Sequence, residues 1–144
     1  QAQCGANLTL YDQLDFQERG VVITFFKNTI TKKNTAIFEE FKANLDQFQT
    51  RGIGVIGITD APPEKNMTFA QSLGIEGREI IIFYDKNGKT GQDYGVYSGT
   101  GTLNLGYHET AYFLLNKEGV IQFKHTGSVL DAQTQTLLEE IDRM

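Results

Sequence analysis

Short apolar runs alternate along the first half of the chain with stretches in which apolar residues recur at helical spacing. The runs at 21–26, 53–58 and 79–84 are apolar on both faces, which is typical of strands in the middle of a sheet. Helical spacing predicts one helix over 8–19, ended by Gly20. A second runs through Gln49 with Asn34 or Thr35 as its N-cap, and a third starts at 62–63 and ends at 74.

The second half of the chain has a different pattern. A turn is predicted at 85–88, a short helical turn at 91–96 and a loop over 97–107. Segments 112–115 and 120–123 read as a β-hairpin, and 130–143 as a closing helix. Strand–helix alternation followed by a hairpin predicts an α/β fold, a three-layer α/β/α sandwich with a central mixed β-sheet. We expect one domain over 1–144, with residues 1–7 flexible.

Composition narrows the function classes. The 144 residues are 40% hydrophobic and 22% charged, which is typical of one globular domain and argues against disorder. The longest apolar run, 80–84, is too short for a membrane span, so no membrane partner is expected. A net charge of −5 argues against nucleic acid as a partner, and two histidines argue against a His-rich metal centre. We expect no cofactor.

The single cysteine, Cys4, excludes an intramolecular disulfide and any Cys-x-x-Cys motif. The chain begins at Gln1 and not at a methionine, so we expect it to be a fragment or a processed product of a longer chain. The expected location is cytoplasmic.

Several short stretches, in this order, resemble the peroxiredoxin (AhpC/TSA) family of the thioredoxin fold, and its small monomeric or bacterioferritin-comigratory class above all. The strand at 21–26 resembles the one that leads into the family's peroxidatic loop. The other resembling stretches are 40–58 (the helix and the G-x-x-V-x-G-I-S strand), 69–75 (F-A-x-x-x-G-I), 85–96 (D-x-x-G…Y-G-V) and 113–121 (F-L-I-D-x-x-G-x-I). The resemblance implies a thioredoxin-like fold from Leu8 to the C-terminus, and a homodimer as the family-derived oligomer.

The family's catalytic motif, P-x-x-x-T-x-x-C, is where this sequence departs from the pattern. The resemblance places the proline at Lys27, the threonine at Thr31, the cysteine at Asn34 and the arginine near Thr110. Only the threonine remains. Because the family's chemistry uses a thiolate at a helix N-terminus, the resemblance implies a degenerate site that cannot run the inherited peroxidase reaction.

Two interpretations of this segment stay open. Asn34 either lines a ligand pocket or, as we favour, caps a helix, and Thr31 is a relic of the peroxide site or an ordinary turn residue. Lys27, Lys32 and Lys33 surround the predicted helix N-terminus, where they form either a solvated loop or a site for a small anion.

Three further features carry weaker predictions. His108 and Glu109 are an acid/base pair at the pocket or structural residues, and Cys4 is a redox thiol or, as we favour, incidental. The glycines at 99 and 101 do not make a dinucleotide fingerprint and favour a loop over the pocket. Residues 66–68 fit a glycosylation sequon.

Three functions compete. The first is a peroxiredoxin-like domain without peroxidase activity that binds a partner protein or small anion, senses, or acts as a scaffold. The second is an antioxidant thiol oxidoreductase that acts through Cys4 or a partner's thiol. The third is a structural domain of a longer chain. We favour the first, and therefore expect a non-enzymatic protein.

Overall fold

A five-stranded mixed sheet forms the middle layer of the protein. The computed structural model describes residues 9–27, 31–75, 79–98, 107–126 and 130–144. The strand order is β3-β2-β1-β6-β7, and β1 pairs parallel with β2 and antiparallel with β6. The strands are β1 (Gly20–Phe26), β2 (Ile53–Thr59), β3 (Ile80–Tyr84), β6 (Ala111–Asn116) and β7 (Ile121–Thr126), with a small separate pair, β4 (Tyr97–Ser98) and β5 (Tyr107–His108).

Helices cover both faces of the sheet. They are α1 (Leu10–Phe16), α2 (Lys32–Ala43), α3 (Leu45–Thr50), α4 (Pro63–Ser72), α5 (Lys89–Asp93) and α6 (Leu130–Asp142), with a short 3-10 turn at Lys86–Gly88. Apolar side chains of α2, α3, α4 and α6 pack on one face. The side of α1, together with Tyr94 and Val96 after α5, packs on the other. The predicted α/β/α sandwich with a mixed sheet is confirmed.

The central strand shows why its sequence is apolar throughout. Val22 and Phe26 belong to the cluster under α2 and α4, whereas Val21, Ile23 and Phe25 belong to the cluster under α1. All five are at most 1% exposed. Because each fully buried side chain of this size contributes roughly 1.5–3 kcal/mol, both faces of β1 need apolar residues.

Three details of the sequence prediction are wrong. Gly20 does not end α1 but begins β1, where a Cβ would overlap the carbonyl oxygen of Leu115. The helix through Gln49 divides at Asn44, whose side chain donates to Glu40 O at 2.9 Å. The stretch 97–107 is not all loop, since its two ends form β4 and β5. Within the described residues, no helix is long and apolar enough to cross a membrane.

Candidate functional site

The first turn of α2 lies beside the carboxyl end of β1, and Thr31 caps it. Thr31 has an extended backbone (φ −113°, ψ 160°), and its hydroxyl accepts a hydrogen bond from the Asn34 backbone N–H at 3.1 Å. The prediction that Asn34 or Thr35 caps this helix is therefore wrong. Asn34 is the third helical residue, and its backbone N–H is the group that the cap satisfies.

The Asn34 side chain connects α2 to the end of the central strand. It is only 5% exposed, and its Nδ2 donates to the carbonyl oxygen of Lys27 at 2.8 Å. Lys27 directly follows β1, so this hydrogen bond joins two elements across the intervening chain. A buried amide in such a bond fixes local geometry, and it is a neutral group with no nucleophilic electron pair.

The three lysines of the predicted anion site are all exposed. Lys32 and Lys33 are the first two residues of α2, and Lys27 follows β1. The first turn of α2 contains no acidic residue. Positive side chains at the positive end of a helix are unfavourable to its dipole, and together with the helix they create a positive potential.

The antiparallel register of β1 and β6 brings Thr110 to the same end of the sheet. Phe25 pairs with Ala111, so Thr110 lies across from the end of β1, where Lys27 follows. Thr110 is partly buried. The structure thus places Thr31, Asn34, Lys27 and Thr110, which the resemblance selected, around one end of the central strand.

The other predicted site residues are less informative. Glu109 is exposed, and its backbone N–H donates to Val96 O at 2.8 Å. His108 lies in β5 opposite Tyr97. Cys4 and the glycines at 99 and 101 lie outside the described residues. Within the part of the chain that the structure describes, no group of three or more His, Cys, Asp or Glu side chains could hold a metal ion.

Asn66, the predicted sequon residue, is fully buried and donates through Nδ2 to Ala61 O at 3.1 Å. Its amide is therefore not accessible to a glycan in the folded protein, and it fixes the segment before α4.

The sequence also gave no indication of two buried hydroxyl groups. Thr24 and Tyr112 are opposite each other on β1 and β6, and both are 0% exposed. Neither hydroxyl has a hydrogen-bond partner among the residues described. Burial, and to a lesser degree the charge of Glu40, raise the pKa of the Tyr112 phenol. No pattern marks these residues, because both occur in strands that are otherwise apolar.

The sheet order and the helices on both faces define a protein of the thioredoxin-like α/β class. The AhpC/TSA family matches residues 1–124, and the chain belongs to this family. It is 27% identical to peroxiredoxin Bcp of Escherichia coli over 111 residues, which are 75% of this chain and 69% of that protein. It is 34% identical to a putative peroxiredoxin of Mycobacterium tuberculosis over 98 residues, 63% of this chain and 60% of that protein.

Solved structures with the same fold include two of this family. Peroxidoxin BcpB from Mycobacterium tuberculosis superposes with a TM-score of 0.88 at 19% identity, covering 99% of this chain and 90% of that one. A bacterioferritin comigratory protein of Xanthomonas campestris gives a TM-score of 0.84 at 17% identity, with coverage of 99% and 88%. The predicted peroxiredoxin-like, thioredoxin-type fold is confirmed.

Proposed function

We propose that this chain is a peroxiredoxin-family domain without thiol peroxidase activity, and that it has a binding, sensing or scaffold role. The observation that carries the proposal is the side chain of Asn34. At the position that the resemblance assigns to the peroxidatic cysteine, the first turn of α2 holds a buried amide bonded to Lys27 O.

The chemistry explains why this residue decides the activity. In peroxide reduction a thiolate sulfur attacks one peroxide oxygen, the O–O bond breaks, and the second oxygen leaves with a proton as water or an alcohol. The sulfur becomes a sulfenic acid that a second thiol reduces. The amide of Asn34 cannot replace the thiolate, because the electron pair of its nitrogen is delocalised into the carbonyl group.

Peroxide consumption with a dithiol reductant tests the proposal. The parent protein is expected to stay at the background rate, and Asn34→Cys to consume peroxide above it, with Asn34→Ala as the inactive control. A parent protein that consumes peroxide and loses this activity on Cys4→Ser would overturn the proposal. That result would establish Cys4 as the nucleophile and support the antioxidant alternative.

A small anion is the ligand class that we propose for the site at α2. The support is the positive charge of Lys27, Lys32 and Lys33 together with the orientation of the α2 dipole. Titration with inorganic phosphate, followed by NMR of backbone amides, is expected to shift the first turn of α2 in a saturable way. The shifts should weaken in Lys32→Gln/Lys33→Gln and persist in Lys65→Gln, an exposed lysine on α4. Equal binding by both variants would contradict an anion site here.

A further inference from the structure

A second cleft, of about 210 Å³, lies at the opposite end of the sheet from Asn34. Gly54 and Val55 at the start of β2 form part of its wall, and Gln13 and Gln17 at the end of α1 form another part. Since β1 and β2 are parallel, the start of β2 is far from the carboxyl end of β1. The cleft is therefore separate from the site already described.

Gln13 is the unusual residue of this cleft. It is only 8% exposed, yet its side-chain amide makes no hydrogen bond with any residue that the structure describes. A buried amide without a partner destabilises a folded protein, because it has lost its hydrogen bonds to water. Such a group in a cleft is suited to a ligand that supplies the missing partner.

Gln17 presents a second amide to the same space. A Cβ at Gly54 would lie 2.7 Å from Gln17 Nε2, so the glycine leaves the room in which this amide packs against the strand. Among the described residues, the Gln17 side chain has no hydrogen-bond partner either, although its backbone carbonyl accepts from Lys117. Two amides thus offer donors and acceptors on one side of the cleft.

The remaining walls restrict the chemistry of a ligand. Leu45, Val55 and Ile81 are aliphatic, and the ring of Phe16, 79% exposed, lies at the cleft. The carboxylate of Glu79 also lines the cleft and disfavours an anion. We propose that this cleft binds an uncharged carboxamide with an aliphatic substituent, such as the amide group of an apolar amino-acid residue.

N-acetyl-leucinamide is the probe that we choose, with N-acetyl-leucine as its anionic counterpart. Titration of the full chain, followed by NMR, is expected to give saturable shifts at the backbone amides of Gly54 and Val55. Binding of the anionic counterpart should be at least tenfold weaker. Absence of a saturable shift, or equal binding of the two compounds, would overturn the proposal.

Gln13→Met removes the amide at nearly constant volume, and Gln71→Met makes the same change at an exposed position on α4. We expect Gln13→Met to weaken binding about tenfold or more and to raise the melting temperature, and Gln71→Met to change neither. Unchanged affinity in Gln13→Met, or a lower melting temperature, would assign Gln13 a structural role and refute the site.

Discussion

Replacing Tyr112 by phenylalanine is expected to stabilise the protein, although it removes a polar group from the core. The side chain is 0% exposed, packs 6.1 Å from the ring of Phe41 and stacks on His125 at 6.3 Å. Its hydroxyl has no hydrogen-bond partner in the described parts of the chain. The substitution deletes that oxygen and keeps the ring contacts.

The size of the effect follows from two opposing contributions. A buried hydroxyl without a partner costs about 1–3 kcal/mol, which phenylalanine recovers. The missing oxygen leaves a void of roughly 10–15 Å³, which costs about 0.3 kcal/mol at about 24 cal/mol per Å³. The net expectation is a gain of about 1–2 kcal/mol in the free energy of unfolding, or about 2–8 °C in melting temperature for a chain of this size.

Urea unfolding and thermal melting of the parent and of Tyr112→Phe measure this difference. Tyr11→Phe is the matched control, because Tyr11 is 79% exposed and its phenol stays in water in both states. We expect the control to lie within about 0.5 kcal/mol of the parent. The slope of the urea transition should be unchanged in both variants.

The alkaline limb of the stability curve gives an independent reading of the same group. Burial raises the pKa of Tyr112 in the folded state, so its contribution is complete below the ordinary phenol pKa of about 10 and is lost as the pH rises further. Tyr112→Phe should therefore lose less stability above pH 10 than the parent. A variant that is less stable than the parent at pH 7 would refute the argument, because the hydroxyl would then have a favourable partner.

Three further predictions concern fixed points of the fold. Asn66→Ala is expected to lower the free energy of unfolding by about 1–3 kcal/mol in urea titrations, because it removes a buried hydrogen bond. Gly88→Ala should cost roughly 2–4 kcal/mol, since Gly88 has φ +67° and a Cβ would overlap the Tyr97 ring; Gly95→Ala, also at positive φ but with open space, should cost less. Arg51, 2.7 Å from Asp142, holds the pKa of that carboxyl below its ordinary value, so the contribution is present at neutral pH and declines below about pH 4. Melting curves should show a small deficit of Asp142→Asn at pH 7 that disappears in acid.

The buried strands and the layer order were predictable, because apolar runs of six or seven residues leave few alternatives to central strands. The start of α2 was not, although Asn34 and Thr31 are both good capping residues. Which of them caps depends on the hydrogen bond between Asn34 Nδ2 and Lys27 O, and the acceptor lies across the loop at the end of β1. No local pattern encodes that contact.

The location of the candidate site followed from the family resemblance, whereas its internal geometry did not. Register alone brings Thr110 beside the end of β1, and residue spacing could not give that register. The cleft at Gln13 was also out of reach of the sequence. Gln13 and Gly54 are separated by 41 positions, and only the packing of α1 against β2 shows that they share a cleft.

Structure and chemistry make opposite demands on position 34, and this sets the last expectation. Asn34 donates to Lys27 O at 2.8 Å, and the weak donor of a thiol on a shorter side chain cannot replace that bond. Asn34→Cys, the variant expected to gain peroxide reduction, should therefore lose about 1–2 kcal/mol of stability, and Asn34→Ala should lose a similar amount. If urea titrations show Asn34→Cys as stable as the parent, the amide is not what stabilises the first turn of α2. Stability lost together with activity gained would instead mean that this position has exchanged a reactive group for a structural one.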